Sequence, residues 1–449
     1  MTGRTSFVAP ALALLVACGS DPRRPADGTD PPPSAMPTGS TPGGDDHPTV
    51  DASIGGDSTV GDSTVGDSTP GAPACPIGAA SWSVTLGLAS PIQDVDVAVD
   101  AAGNAVAATA AAGPGDADGV TRLSPTGDVL FTRPYGSVVA TDRAGDTYIA
   151  GGFTQPIDFG LGVVEPQGNI DVFVVELDPH GKVVLARALG LCGDGVQSIA
   201  VDAGGRIAVS GSAMGTAVLG ADGRLLFDLA LAGSVAFDSH GNLVIAGTFT
   251  TSIDLGDGPI AVGDAGSEAF VIEVDREGQR IWSHLLPGGG VHATDVAIDA
   301  HDAIVLVGYY ERSIDLFGDR FDAIFSSESG RVTGAYVVEL DDAGAVIWKI
   351  GRADGVEANG VAVAPAGNVF VSGATTGNTG FLRHAQLTEL DAAGHTRVAS
   401  IQVVPGSAGA SRGLKVATDR CGSVFMTFVA QDAPGAGSPV RAHVAKASP

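Results

Sequence analysis

The sequence lacks the short motifs by which many catalytic and metal-binding proteins are recognised. It contains no His-Glu-x-x-His, no Walker loop and no EF-hand ligand spacing. Basic residues are also scarce, because 24 Lys and Arg stand against 51 Asp and Glu, a formal net charge of −27. A surface of that sign repels nucleic acid and anionic lipid headgroups, so we expect neither as a partner of the folded part.

Helical periodicity is missing as well. Outside the first twenty residues, no long segment repeats apolar residues with the 3.6-residue period of a helix. Aromatic residues make up 5% of the chain, whereas glycine occurs 65 times in 449 residues. This composition favours many short strands joined by tight turns, and therefore an all-β fold.

The first seventeen residues read as a secretory signal peptide. Arg4 supplies a positive start, and the apolar run 7–17 is too short to span a bilayer. The run ends in Leu-Val-Ala-Cys, with the cysteine at Cys18, and this motif resembles the lipobox of bacterial lipoproteins. The resemblance implies that Cys18 becomes the mature first residue and carries lipid, and Gly19 after it implies the outer membrane. Ordinary signal cleavage beside an incidental cysteine is the alternative.

Residues 18–74 have the composition of a spacer. The segment contains Pro-Pro-Pro at 31–33 and three copies of Gly-Asp-Ser-Thr at 56–59, 61–64 and 66–69. It holds almost nothing that could be buried, so we expect a disordered tether between the lipidated Cys18 and a globular head. A calcium-binding or glycosylated stretch is the less favoured interpretation.

The rest of the chain, 75–449, repeats one unit that is clearest at 235–286. Four short apolar strands are joined there by turns such as Asp238-Ser-His-Gly241 and Asp275-Arg-Glu-Gly278. Aspartate at the first turn position accepts hydrogen bonds from backbone amides, and glycine at the fourth takes a positive φ. Four strands in about fifty residues is the size of one propeller blade.

The first turn of this unit occurs seven times, which predicts seven blades. Two copies are imperfect, because Asp302 replaces the glycine in one and Ala364 replaces the aspartate in another. The seven turns begin at Asp100, Asp142, Asp202, Asp238, Asp299, Ala364 and Asp419. The second turn recurs at Asp178, Asp275, Asp341 and Asp391.

At third strands such as Phe173-Val-Val-Glu-Leu177, and at Asp158-Phe-Gly160, the chain resembles the bacterial propeller-repeat proteins called SBBP-type. The resemblance implies a seven-bladed β-propeller of four-stranded antiparallel blades over nearly all of 76–449. It implies little about function.

Tryptophan positions predict how the ring closes. Trp282 and Trp348 lie in fourth strands, whereas the last unit ends before a fourth strand appears. Trp82 lies in an apolar stretch ahead of the first unit. We therefore expect residues about 80–87 to be the fourth strand of blade seven, which removes an exposed sheet edge.

The remaining cysteines predict one disulfide bond. In a four-stranded meander, the first turn and the start of strand four lie at the same end of the blade. Cys421 lies in the first turn of blade seven and Cys75 lies just before its predicted fourth strand. Cys192 follows the fourth strand of blade two and so belongs to the opposite end. We predict a Cys75–Cys421 bond in an exported protein, with Cys192 free.

No residues stand out as a single catalytic, metal or cofactor site, and none is predicted. The carboxylate pairs and turn histidines recur from blade to blade, which favours structural roles; they are Glu176/Asp178, Glu273/Asp275, Glu339/Asp341, Glu389/Asp391, His180, His240, His301 and His395. The long loops between strands two and three of blades two, four and five, at 158–171, 254–268 and 315–333, are candidate binding loops, and variable loops without a function are the alternative.

The favoured hypothesis is a non-enzymatic, monomeric envelope lipoprotein whose propeller binds or scaffolds an unknown protein or glycan. A glycan-active lyase or hydrolase with a site at the mouth of the central channel is the alternative, and a purely structural envelope component is a third possibility.

Overall fold

The computed structural model describes residues 82–89, 95–109, 119–192, 195–263, 266–323, 333–353, 356–376, 383–402, 411–431 and 440–447. They belong to a compact unit that spans Cys75–Pro449. The predicted signal peptide, Cys18 and the tether lie outside the described residues. Within those residues, no helix is both long and apolar enough to cross a membrane.

Seven antiparallel blades of four strands form the ring; in six of them the strands follow chain order, and the seventh takes its outer strand from the other end of the chain. Blade one comprises Val95–Val99, Ala105–Thr109, Gly119–Leu123 and Val129–Arg133. Blade two comprises Val138–Thr141, Thr147–Phe153, Asp171–Leu177 and Val183–Cys192. Blade three comprises Val196–Val201, Ile207–Gly211, Gly215–Leu219 and Leu225–Leu229. Blade four comprises Ser234–Phe237, Leu243–Phe249, Glu268–Val274 and Arg280–Leu286.

The last three blades follow the same plan. Blade five comprises Gly288–Ile298, Ile304–Leu316, Gly334–Leu340 and Val346–Arg352. Blade six comprises Val356–Val363, Val369–Thr376, Arg383–Leu390 and Thr396–Gln402. Blade seven comprises Ser411–Thr418, Val424–Gln431, Val440–Ala447 and, from the other end of the chain, Trp82–Ala89. The seven-bladed, all-β prediction is confirmed.

The turns form as their residues dictate. In blade four, the Asp238 side chain accepts the backbone N–H of Asn242 at 2.6 Å. The N–H of Gly241 donates to the Asp238 carbonyl at 3.2 Å, and Gly241 has φ of 79°. Asp302 takes the positive φ where glycine is missing, and Ala364 still closes its turn through backbone bonds alone. The backbone therefore sets the turn, and the aspartate side chain reinforces it.

The middle strands of a blade are buried on both faces. Every residue of Glu268–Val274 is buried, and so is all of Leu243–Phe249 except Thr248. Neighbouring blades cover both faces of these strands, which explains their continuous apolar sequence. Outer strands such as Val129–Arg133 are largely exposed on one side.

In six of the seven blades, as far as the structure describes them, a large side chain near the start of the outer strand packs on a glycine in the second turn of the next blade. A Cβ added to Gly344 would lie 2.7 Å from the ring of Trp282, and one added to Gly394 would lie 2.7 Å from that of Trp348. The same contact joins Phe131 to Gly181, Leu185 to Gly223, Phe227 to Gly278 and Trp82 to Gly127. The glycine and the large side chain together form the outer joint between blades.

Trp82 shows that the ring closes as predicted. The strand Trp82–Ala89 pairs with Val440–Ala447, and Trp82 lies opposite Lys446. The indole N–H of Trp82 donates to the carbonyl of Pro125 at 3.0 Å. Trp282 makes the equivalent bond to Asp342 at 3.1 Å, so the two tryptophans occupy the same position in their blades.

Cys421 takes part in a disulfide bond. Cys75, its predicted partner, and the side chain of Cys192 lie outside the described residues. The Cys75–Cys421 pairing therefore stays a prediction.

The outer joint predicts a stability difference between two glycine variants. Gly344 and Gly103 have nearly the same φ, 79° and 81°, but a Cβ at Gly103 would meet nothing closer than 3.5 Å. Placing alanine at this φ costs about 1–2 kcal/mol at either site. Gly344→Ala should lose about 1–3 kcal/mol more, because the new methyl group overlaps the Trp282 ring. Urea unfolding measures both variants, and equal losses would contradict the joint.

Candidate functional site

The first strands of the seven blades surround the axis of the propeller. Each contacts the first strand of the next blade, and blade seven contacts blade one in the same way. Four residues before each first turn, one residue per blade occupies an equivalent position, which we call the channel ring. The ring consists of Asp96, Val138, Ser198, Ser234, Asp295, Gly360 and Lys415.

A cavity of about 450 Å³ lies at one mouth of the channel, the end where first strands begin and second strands end. Its lining residues are a mixture of polar and small apolar side chains, and none of them is aromatic; the polar members include Asp96, Gln197, Thr248, Thr294, Asn359 and Lys415. A smaller cavity of about 130 Å³ also involves the ring and the residues that follow it. Each of the two cavities is lined by residues from most of the blades.

β-Bulges in the first strands direct several of these polar side chains into the cavity. The pairing register of blade three shifts between Val196 and Ser198, which leaves Gln197 as the extra residue. The same shift makes Thr294 the extra residue of blade five and Asn359 that of blade six. A bulge redirects a side chain out of the regular pleat. Here all three extra residues line the cavity.

Polar ring residues also tie neighbouring blades together. Asp96 accepts the backbone N–H of Val139 in blade two at 2.9 Å. Ser198 accepts the N–H of Val235 at 3.1 Å. Asp295 accepts that of Val361 at 3.0 Å. In each case the donor immediately follows the ring position of the next blade, so the ring serves as an inner joint between blades.

Asp295 is the most connected member of the ring. Its Oδ1 accepts the hydroxyl of Ser234 at 2.7 Å and the ammonium of Lys415 at 2.7 Å. With Val361, this one carboxylate bonds to blades four, six and seven. Because it is mostly buried and paired with Lys415, its charge is compensated inside the channel.

Asp96 is held differently. Its Oδ1 accepts the N–H of Val97 at 2.9 Å, and its Oδ2 accepts that of Val139. Although part of Asp96 is exposed to the cavity, the surrounding protein desolvates the carboxylate and raises its pKa above the ordinary value. The charge of Lys415 and the two N–H groups lower the pKa in part, and Asp295 raises it further.

Arg412 and Asn359 form a second polar group at the mouth. The guanidinium donates to the side-chain oxygen of Asn359 at 3.0 Å, and the Asn359 amide donates to the carbonyl of Gly413 at 2.8 Å. The Arg412 guanidinium also lies 3.7 Å from the Glu357 carboxylate. These contacts join blades six and seven above the ring.

Loops between strands two and three rise at the same end as the cavity. Blade two carries a hairpin of Ile157–Asp158 and Val163–Val164, and blade four one of Ser252–Asp254 and Pro259–Ala261. In blade five, Asp319–Asp322 pairs back onto Ile304–Leu316. The tip in blade two exposes the apolar side chains of Leu161 and Val163, at 57% and 60%. The three candidate binding loops therefore share one end of the ring with the channel mouth.

The recurring carboxylates lie at the turn end, away from this cavity. Asp178 accepts the N–H of Lys182 at 2.8 Å and so closes its turn, while Glu273 accepts the side-chain amide of Asn242 at 3.0 Å. Burial raises the pKa of both Glu273 and Glu176. His240 and His301 are exposed beside turn aspartates. Each of these groups has a local structural partner.

Sequence reasoning missed Asp96, Asp295 and Lys415. The signal was present, because counting back four residues from each first turn gives all seven ring positions. The spacing of the turns does not show, however, that the three charged positions of the ring are one lysine and two aspartates that lie close together. In the parts of the chain that the structure describes, no group of three or more His, Cys, Asp and Glu residues is arranged to hold a metal ion.

Comparison with known proteins yields structural similarity alone. No family model and no curated protein matches the chain. A protein of unknown function from Bacteroides caccae has a TM-score of 0.36 and 13% identity, over 58% of this chain and 83% of its own. The WD40 beta propeller domain of Doa1 has a TM-score of 0.43 and 13% identity, over 81% and 97%. BamB from Moraxella catarrhalis has a TM-score of 0.37 and 13% identity, over 81% and 96%. None of the three assigns a function to the chain.

The charges of the ring predict a pH-dependent loss of stability in Lys415→Met. Without the ammonium, Asp295 loses its partner and the pKa of Asp96 rises further. At pH 7 the variant should lose about 1–3 kcal/mol. A raised folded-state pKa costs stability as pH rises through it, so the loss should shrink as pH falls and the Asp96 carboxylate gains a proton. Urea unfolding from pH 3.5 to 8 measures this. Lys182→Met, at an exposed turn, is the control, and a pH-independent loss would contradict the account.

Proposed function

We propose that this protein is an exported, monomeric lipoprotein, anchored through Cys18 to the outer membrane, whose propeller binds a protein or glycan at the channel mouth. The cavity of about 450 Å³, into which first-strand bulges bring Gln197, Thr294 and Asn359, carries the proposal. Its volume falls in the range of ligand sites, roughly 300–1,000 Å³.

The chemistry of the mouth supports binding. Hydroxyl and amide side chains such as Thr248, Thr294 and Gln197 can donate and accept hydrogen bonds without titrating. The charged groups around them are already engaged between blades, as Asp295 is with Lys415. A large partner would place one group in the cavity and rest on the hairpins of blades two and four.

A glycan-active lyase or hydrolase is the second candidate, and Asp96 supports it. A carboxyl group with a raised pKa, near a second carboxylate, fits a general acid. Against this, every oxygen of Asp96 and Asp295 already accepts a hydrogen bond that ties the fold. Incubation of the protein with envelope glycans, followed by product analysis, separates the two candidates. Turnover lost in Asp96→Asn would favour the enzyme.

The anchor is tested by Cys18→Ser. The wild type should fractionate with membranes and incorporate a labelled fatty acid, whereas the variant should do neither because it has no thiol to lipidate. Cys192→Ser is the matched control and should remain with the membranes. A Cys18→Ser protein that still fractionates with membranes would contradict lipidation at this residue.

The binding face is tested by photo-crosslinking in cells of the source organism. A photoreactive residue replaces Thr250, which is exposed at the mouth, or Arg143, which is exposed in a turn at the other end. We expect an adduct from position 250 that disappears when Gln197→Trp fills the cavity, and none from position 143. Adducts from position 143 alone would place the partner at the opposite face and overturn the proposal.

A further inference from the structure

The channel ring contains more negative than positive charge. Its seven positions hold two aspartates and one lysine, and the ammonium of the lysine bonds to Asp295 at 2.7 Å, whereas its charge acts on Asp96 by lowering the pKa of that carboxyl. The other ring positions are uncharged. Among the described residues, the hydrogen bonds that the Asp96 carboxylate accepts come from two backbone N–H groups rather than from a cation. With both carboxylates ionised, the ring carries a formal charge of −1.

The Asp96 carboxylate can accept further hydrogen bonds. Each carboxylate oxygen can accept two hydrogen bonds, and each oxygen of Asp96 accepts one, from a backbone N–H. The residue is partly exposed to the mouth cavity, and it borders the smaller cavity as well. Asp295, by contrast, accepts three bonds and lies beside its lysine. A ligand in the channel would therefore meet one carboxylate with open acceptor sites.

The neighbours of Asp96 suit a donor-rich ligand. Gln197 borders both cavities with it, and its amide oxygen is a further acceptor. Ser234 and Ser198 supply hydroxyl oxygens around the smaller cavity. The chain as a whole, with a net charge of −27, attracts cations toward any opening on its surface.

We propose that the channel mouth binds one ammonium or guanidinium group of its ligand, with the Asp96 carboxylate as the acceptor and Gln197 beside it. This inference rests on the proposed binding function and specifies the ligand chemistry. A charged donor adds a second cation, so the ring becomes neutral when it is occupied. The group can come from a lysine or arginine side chain of a protein, or from an amino sugar of a glycan.

Binding of a cation should be linked to the ionisation of Asp96. Burial raises the pKa of this carboxyl, and a bound cation lowers it again. Affinity should therefore increase as pH rises through the pKa of Asp96, with proton release on binding. A neutral ligand of the same shape would show neither effect.

The test uses the propeller within the full chain, with Cys18→Ser to remove the lipid. Titration calorimetry or ligand-observed NMR measures binding of the peptide acetyl-Gly-Gly-Lys-Gly-Gly-amide and of a glucosamine trimer. The Nε-acetylated peptide and the N-acetylated trimer are the neutral controls. We expect at least one of the amines to bind, and its acetylated form to bind at least tenfold more weakly. Which amine binds distinguishes protein from glycan.

Three variants locate the site. Asp96→Asn should weaken binding at least tenfold and abolish its pH dependence. Gln197→Lys, at an exposed position, supplies an internal ammonium that competes for Asp96, so binding should again fall at least tenfold. Asp228→Asn makes the same charge change on the exposed outer strand of blade three and should bind like the wild type. If Asp96→Asn fails to fold, Gln197→Lys still decides.

The outcomes separate this inference from the broader proposal. Binding that is equal for amine and acetylated ligands, or unchanged in Gln197→Lys, would overturn the cation site. Absence of amine binding, together with a cavity-dependent crosslink from position 250, would overturn the cation site alone. If neither amine binding nor the crosslink from position 250 is observed, the proposed binding function is overturned as well.

Discussion

The space beside each second-turn glycine is the constraint on which this propeller depends. A large side chain from the preceding blade fills the place where a Cβ would be, as Trp282 does at Gly344 and Trp82 at Gly127. The glycine also has a positive φ that other residues rarely adopt. Glycine thus meets two requirements, the positive φ that returns the chain and the close approach of a side chain from the preceding blade. Because Trp82 makes the same contact, the ring closes through the joint that the other blades use.

A second set of joints lies at the centre, and these are polar. Asp96, Ser198 and Asp295 each accept a backbone N–H from the following blade. The choice follows from geometry, because the first strands converge on a channel that is too wide to be filled by side chains. Polar groups can hold neighbouring strands there and still face water. The outer joint is held by the packing of a large side chain on a glycine, whereas the inner joint is held by hydrogen bonds in a partly hydrated channel.

The same inner residues define the candidate site. A carboxylate that ties two blades also brings charge into the channel, and Lys415 compensates only part of it. Bulges at the start of the first strands add Gln197, Thr294 and Asn359 above this ring. Variation between blades is concentrated at that end, since the hairpins of blades two, four and five rise there. The opposite end consists of tight turns that repeat closely from blade to blade.

Features that depend on local chemistry could be predicted from the order of the amino acids. Turns such as Asp238-Ser-His-Gly241 require only neighbouring residues, so their spacing predicted the strands, the seven blades and, through Trp82, the closed ring. Two second turns, at Ser124 and Gly220, escaped because neither begins with aspartate, although their backbone bonds are the same. Which residues meet in the channel depends instead on how the seven blades pack around the axis. Lys415 and Asp295 are 120 positions apart and belong to blades that are not neighbours, so their 2.7 Å contact exists only once the ring has formed. No local signal marks the bulges either, because a bulge depends on how two strands pair rather than on the sequence of one.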